Sequence, residues 1–419
     1  MADVRSRILT WAGRKYLERK LKKGVDLLSL LPGSTLMPLR RRSLDPVPEL
    51  GATEPVSRLP LPFGLRAWLV TGYAEAREVL VATGKFSNDY TNLMGTTAMS
   101  AEQNPGGLGF ADPPDHTRLR KLLAPEFTMR RLSRLTPRIH AVVEERLDAM
   151  AAADGPVDLM QEFALPIPSL VICELLGVSY EDRADFQRHS MARFDLFAGV
   201  GASFGAISES LAYLLKVVAK QRESPGDGLL GMLIKEHGDE IDDRELAGLA
   251  DGVLTGGFET TASMLALGAV VLLRDREQFD LIRRDDEAIE PFVEELLRYL
   301  TVVQVAFPRF ASERVEVGGA RIEPGDIVFV SLSGANRDAA AMGEDPDLVD
   351  PARDAAPHLA FGWGAHRCVG AELGRMELRA AYPALVRRFP QLRLVVAPDK
   401  LSYRQTSIVY GVDSLPVLL

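Results

Sequence analysis

Cysteine is scarce in this chain: 419 residues hold two, Cys173 and Cys368. Two cysteines in unrelated contexts exclude a zinc quartet, a four-thiolate iron–sulfur cluster and the disulfide framework of a small secreted domain. Cys173, in the apolar run SLVICELLGV, reads as core, and a reducing cytoplasm is the expected compartment. No run of about 18 apolar residues marks a transmembrane helix or a secretory leader. Linkers are missing too. No Ser/Gly/Pro-rich stretch, repeat or low-complexity segment divides the chain, so one large folded unit is expected over 39–419. Hydrophobic residues at 47% allow a sizeable core, and charged residues at 26% give no reason to expect disorder.

The net charge of −9 is unevenly spread: eleven Lys/Arg against three acids give residues 1–42 a charge of +8 and leave −17 on 43–419. Residues 1–38 read as a basic N-terminal extension. Ile8, Trp11 and Ala12 share one helical face and Leu17, Leu21, Val25 and Leu28 another, but the arcs do not merge into one stripe. A helix packed on the body or a frayed leader is one reading. Weak peripheral contact with an anionic membrane, at about 1 kcal/mol per basic residue, is the other. The acidic remainder argues against nucleic-acid binding.

Along the body, short strands alternate with long helical stretches. Glu54–Leu59 and Ala67–Val70 read as a strand pair followed by a helix from Tyr73 to Ala82. Glu313–Val317, Ala320–Ile322 and Ile327–Val330, separated by Gly-Gly and Pro-Gly-Asp turns, read as a meander. Leu392–Val396 with Gln405–Tyr410 is a third set. From Asp115 to about Arg298 the pattern is almost continuously helical.

Against that background stands Phe361-Gly362-Trp363-Gly364-Ala365-His366-Arg367-Cys368-Val369-Gly370. A single cysteine lies in a glycine-rich, otherwise apolar loop just before AELGRMELRAAYPALVRRF, a helix pattern whose N-terminal amides would stabilise a thiolate. Gly362 and Gly364 allow tight turns, and Gly370 allows close approach of the helix. Presentation of a thiolate to a metal is one reading, and a small buried hydrophobe is the other.

Residues 251–273, DGVLTGGFETTASMLALGAVVLL, form a long apolar helix pattern interrupted by Gly256-Gly257 and Thr260-Thr261. Each glycine costs about 1 kcal/mol relative to alanine, and a threonine hydroxyl bonds back to the preceding turn, so a kink or bulge is expected. Glu259 lies in that weakened turn, as a solvated acid beside a packing notch or as a proton-transfer group. EELLRY places Glu295 and Arg298 one turn apart, the spacing of an ordinary surface ion pair worth under about 1 kcal/mol. In FADPPDHTRLR a helix begins near Asp115 and carries His116 and Arg120 on one face.

FxxGxHxCxG, GGFETT, ExxR and the His116 helix together resemble the motifs of the cytochrome P-450 family, over roughly Leu39 to Leu419. The resemblance implies that family's fold, mainly α with small β-sheets (α+β): a triangular helical body holding haem b between the Gly256–Thr260 helix and the Cys368 loop. It implies Cys368 as the axial ligand of the haem iron, in a loop shaped by Phe361, Gly362 and Gly370. GGFETT is similar to the family's oxygen-binding groove, where Gly256 and Gly257 clear room for dioxygen, Glu259 relays protons and Thr260 hydrogen-bonds the oxygen. Glu295, Arg298 and Arg353 would form a buried triad bracing the cysteine loop. Leu348 departs from the pattern where an aromatic is common, with a small repacking effect expected. His116, Arg120, Arg309 of FPRFASE and His366 match the family's haem-propionate contacts, for which charge-assisted bonds suit arginine and histidine.

The implied function is a haem-thiolate monooxygenase that hydroxylates or epoxidises a hydrophobic small molecule. Two electrons would come from NAD(P)H through a separate ferredoxin and ferredoxin reductase. Arg118, Lys121, Arg130, Arg131, Arg134, Arg367 and Arg375 are a candidate patch for docking an acidic ferredoxin, against the alternative of scattered solvated charges. The intact Glu259-Thr260 pair argues against a peroxide-driven enzyme, and a proton relay beside an apolar pocket argues against a non-catalytic haem sensor or carrier. By position the substrate pocket draws on Tyr90, Leu93, Met94, Met99, Phe194, Phe197, Leu254, Phe258, Val303, Val305, Ile408 and Val409. Their apolar character favours a fatty-acid-like ligand over a terpenoid or polyketide. A monomer is expected.

Overall fold

The computed structural model describes residues 32–61, 65–89, 107–178 and 200–419, the side chains of 200–208 excepted. Residues 1–31 of the basic extension and the pocket candidates Tyr90, Leu93, Met94, Met99, Phe194 and Phe197 lie outside the described residues.

The helices that position the site are α1 (Tyr73–Val81), α2 (Asp115–Leu123), α3 (Thr136–Ala151), α4 (Pro166–Leu176), α5 (Val200–Glu223), α6 (Leu229–His237), α7 (Asp243–Arg274), α8 (Arg276–Arg284), α9 (Ile289–Leu300) and α10 (Ala371–Arg388). The longest is α7, and its start follows from its sequence. Asp242 accepts from the Glu245 amide while the Glu245 side chain accepts from the Asp242 amide, a reciprocal capping box. It ends at Asp275, whose carboxylate caps α8 by accepting from the amides of Glu277 and Gln278, which turns the chain sharply. Because α7 is apolar nearly all round, it is buried by neighbours on every side, among them α4, α5 and α10. By length and hydropathy it qualifies as a membrane span, which corrects the expectation that no segment does, but 78% of its most apolar stretch is buried inside the fold.

The expected interruption at Gly256–Thr261 does not break α7, which runs as one α-helix. The back-bond that motivated the expectation is present: the Thr260 hydroxyl donates to the Gly256 carbonyl at 2.6 Å. Packing against α4 and α10 keeps the helix continuous against the local cost of two glycines.

The strands of the main sheet and its neighbouring hairpin are β1 (Val56–Pro60), β2 (Arg66–Val70), β3 (Phe86–Ser87), β4 (Arg309–Ala311), β5 (Val315–Val317), β6 (Ala320–Ile322) and β7 (Ile327–Val330). The main sheet has the order β1-β2-β7-β4-β3, with β2 and β7 parallel and in register from Ala67↔Ile327 to Val70↔Val330. The expected meander is therefore only half formed. β5 and β6 pair with each other, whereas β7 leaves them to join the main sheet, where Val328 and Val330 are buried against α1.

The third expected strand set is also corrected. Arg393–Leu394 pairs with Pro416–Leu418, which pairs in turn with Val157–Asp158. Within 405–410 Val409 alone forms a bridge, to Val303, because the backbone groups around it are taken by the segment after α9: Tyr410 N–H donates to Val302 O at 2.8 Å and Gln304 N–H to Ile408 O at 3.0 Å. Arg41 locks this corner from below. Its buried guanidinium donates to Gln304 Oε1 (2.9 Å), Leu44 O (2.8 Å) and Thr301 O (3.0 Å) and lies over the Tyr410 ring. Burial lowers its pKa to about 10.

Candidate active site

The Cys368 loop is held by backbone geometry. Gly364 has φ +73°, and a Cβ there would lie 2.8 Å from the Leu80 carbonyl of α1, so only glycine fits. The Cys368 amide donates to Phe361 O at 2.8 Å, and the Leu359 amide to Asn336 Oδ1 at 2.7 Å. Asn336 Nδ2 donates in turn to Thr301 Oγ1 at 2.8 Å, anchoring the loop to the end of α9. Gly370 caps α10 and has only an ordinary contact at its Cβ position, 3.8 Å from Phe127, so close helix approach is not what it provides. Instead its amide hydrogen-bonds the cysteine sulfur.

Cys368 is accessible at its surface yet enclosed by enough protein to alter its chemistry. That enclosure pushes the thiol up, opposed by the Gly370 amide and by Arg120, Arg367 and Arg375. Among the described residues no group of three or more His, Cys, Asp or Glu gathers as a metal site.

Next to this loop the structure brings together four residues from three segments: His116 and Arg120 of α2, Arg309 and His366. His116 of α2 and His366 have ring centroids 4.1 Å apart. Among the described residues, both nitrogens of His116 and Nε2 of His366 are buried without a hydrogen-bond partner. Arg309 at the start of β4 is buried and, among the described residues, donates only to Phe307 O, at 3.1 Å. Burial lowers the pKa of His366 to about 3, reinforced by His116, Arg309 and Arg120, and lowers His116 likewise. Burial also brings Arg309 down to about 10. The nearby carboxylate, Asp112, is engaged by Ser87 Oγ and the Asn88 amide. Such a cluster is costly unless anions enter it, and two carboxylates on one face are what its donors fit. The haem implied by the sequence carries two, so these residues suit that group.

The groove lies on α7 directly across from α10: a Cβ on Gly374 would be 4.0 Å from both Thr261 Oγ1 and the Phe361 ring. Its two glycines do different jobs, which corrects the reading that both clear room. Gly256 has open space at its Cβ position, whereas a Cβ on Gly257 would lie 2.5 Å from Ile172 of α4. Only Gly256 leaves room, and Gly257 permits helix packing. Glu259 is not solvated: it has no accessible surface, and its Oε1 accepts from Arg404 Nη1.

Glu295 and Arg298 are likewise not a surface pair. Both are buried, with two charge-assisted bonds of 2.7 Å between them. Arg298 also donates to the carbonyls of Asn336, Pro346 and Leu348, and Arg353 Nε reaches Glu295 Oε1 at 3.3 Å, completing the expected triad. The Leu348 side chain is exposed, and the triad uses only its carbonyl, so the departure from an aromatic costs little packing.

Four members of the expected cationic patch are engaged by carboxylates, although Arg118 and Arg134 stay exposed at the surface. Arg375 is buried between Glu294 and Glu372, Arg118 pairs with Glu245, and Arg131 and Arg134 flank the buried Glu126. Although burial works against it, His358 and Arg375 hold the Glu294 carboxyl down to about 2. Lys121, Arg130 and Arg367 are exposed and make no ion pair among the described residues. Of the described pocket candidates, Leu254, Phe258 and Val409 are buried, the first two within hydrophobic cores, while Val303, Val305 and Ile408 keep accessible surface. Sequence reasoning missed Arg404, Arg41 and Asn336, each lying far along the chain from the residue it serves.

The cytochrome P450 family model matches residues 64–220 and 206–401. Cytochrome P-450 FAS1 of Rhodococcoides fascians is 39% identical over 400 residues, covering 92% of this chain and 99% of that protein. Among solved structures, P-450 StaH from glycopeptide antibiotic biosynthesis has a TM-score of 0.83 at 40% identity, covering 91% of this chain and 99% of its own. A mycinamicin VIII methyl hydroxylase from Micromonospora griseorubida, solved with mycinamicin VIII bound, has a TM-score of 0.85 at 33% identity and the same coverage of both chains.

Proposed function

Because this chain belongs to the cytochrome P-450 family of haem-thiolate monooxygenases, we propose that Cys368 is the protein ligand of its haem iron and that dioxygen is handled beside Gly256 and Thr260. The observation that carries this reading is the uncompensated cluster of His116, Arg120, Arg309 and His366 next to the Cys368 loop. Haem, when bound, supplies a thiolate-ligated iron that activates dioxygen for insertion of one oxygen atom into a C–H bond.

The chain's own residues do the rest. Arg309, Arg120 and the two imidazoles would hold the two propionate carboxylates of that group. The Gly370 amide and the cations around Cys368 favour its thiolate. Gly256 leaves space beside the Thr260 hydroxyl, whose proton is donated to the Gly256 carbonyl at rest and is free to be redirected. Glu259, one residue away, is the acid that moves protons into this space.

For the substrate we propose a bulky natural product of macrolactone or peptide type. Support comes from the relatives, one from glycopeptide antibiotic biosynthesis and one bound to mycinamicin VIII. The fatty-acid-like ligand favoured from apolar pocket composition finds no support among them. Electrons are proposed to come from NAD(P)H through a separate reductase and ferredoxin docking near Lys121, Arg130 and Arg367.

Optical titration of the ferric protein with macrolactones, peptides and fatty acids tests the substrate class. A saturable low-to-high-spin shift with macrolactones or peptides is expected, and a shift with fatty acids alone overturns it. On the same protein, Cys368→Ala is expected to lose the thiolate-type reduced carbonyl spectrum, and a normal spectrum from that variant would sink the ligand assignment.

A further inference from the structure

Glu259 of α7 and Arg404, 145 residues later, meet in the interior. Arg404 enters from the segment after α10. Its Nη2 donates to Val412 O at 3.1 Å and its amide to Gly411 O at 2.9 Å, so residues 403–412 hold the guanidinium from behind. Asp413 Oδ1 stands 3.7 Å from its Nε, and Asp413 Oδ2 accepts from the Ser402 hydroxyl at 2.9 Å. A Cβ on Gly411 would lie 2.5 Å from Arg404 Nη2 and 2.7 Å from Ser263 Oγ, so the glycine leaves the passage the guanidinium fills. On the other side, Oε2 of Glu259 and Oγ of Ser263, one turn along α7, are buried without partners among the described residues.

The two oxygens of one carboxylate are therefore unequal. We propose that Arg404 is a positioning residue for this acid: by holding Oε1 it keeps Glu259 ionised and oriented, and leaves Oε2 as the oxygen that takes up and passes on the proton. The inference rests on reading Glu259 as the acid that moves protons toward Thr260. A proton arriving at Oε2 converts carboxylate to carboxylic acid, and its departure from the same oxygen restores the ion pair, so charge balances over each transfer. A carboxylate without accessible surface or partner is strongly disfavoured, and a guanidinium removes that penalty. The planar fork also fixes the direction of the carboxylate, which a bare charge would not.

The test is infrared difference spectroscopy of the haem-loaded ferric protein, produced with glutamate isotopically labelled at its side-chain carboxyl. The Glu259 signal is the one that disappears in Glu259→Gln. At neutral pH the parent is expected to show this signal as carboxylate, Arg404→Ala to lose that band and gain a protonated carboxyl band, and Arg404→Lys to recover part of the carboxylate. An unchanged carboxylate band in Arg404→Ala overturns the inference. Should that variant fail to fold, Gly411→Ala, which pushes the guanidinium aside, is judged by the same band. Glu259→Gln, assayed alone for peroxide released per NAD(P)H, judges the proton-relay reading separately. Full coupling there sinks the relay whatever the infrared bands show.

Discussion

The imidazoles of His116 and His366 lie 4.1 Å apart, one from α2 and one from the cysteine loop, and Nε2 of each is buried without a partner among the described residues. Two neutral rings coexist at this distance, whereas two charged ones repel, and Arg309 and Arg120 add to the repulsion.

A pH dependence follows for the haem-free chain. The folded pKa of His366 falls to about 3 from an ordinary 6.5, with His116 lowered in the same direction. The unfolded chain thus binds more protons between these values, so stability is fully present above about pH 6.5 and is lost as pH falls toward 3. The expected loss is about 2 kcal/mol, below the full linkage value because His366 is partly accessible. Urea midpoints across this range should fall with acid, and His366→Phe should flatten the slope.

Removing one partner of the Glu295–Arg298 pair strands a buried charge that also bonds the loop carbonyls. Glu295→Ala or Arg298→Ala is expected to cost about 3–5 kcal/mol and to reduce haem retained per protein. Chemical denaturation and the haem-to-protein absorbance ratio check this.

The two groove glycines should respond in opposite ways. Gly256→Ala has free space for its methyl and gains helix propensity, so stability is expected to rise by up to about 1 kcal/mol while turnover falls as the space beside Thr260 narrows. Gly257→Ala drives a methyl to 2.5 Å from Ile172 and should destabilise by about 1–3 kcal/mol. Thermal melts of the two variants with a turnover assay separate the effects.

Thr260→Ala removes a hydroxyl whose bond runs within its own helix. Fold and haem content are expected to be unchanged, while peroxide released per NAD(P)H rises because a positioned proton donor is lost. Unchanged coupling counts against a proton role for this hydroxyl.

Much of the site was legible along the chain because its signals are local. The Cys368 loop needs glycine at particular turns, ExxR sets two side chains on one helical face, and the apolar pattern of α7 marks a buried helix whatever surrounds it. The strand pair before α1 was legible for the same reason, since alternation and turn residues act over a few positions. Strand partnership was not. β7 left its neighbour β6 for β2, and residues 405–410 gave their backbone bonds to 302–304. Hydrogen bonds between strands are satisfied equally well by near or distant partners, and burial chooses among them.

Charge was judged least well from sequence, because the worth of an ion depends on what faces it. Arg375 read as surface and is buried between two glutamates, the Glu295 pair read alone as a surface pair and is buried, and Glu259 answers to Arg404. The sequence by itself determined which chemistry-bearing residues exist and which local geometry each can adopt. The tertiary structure alone decided which of them meet, and so whether each carries its charge buried, paired or free, because desolvation and Coulomb attraction act through space between segments that no sequence spacing connects.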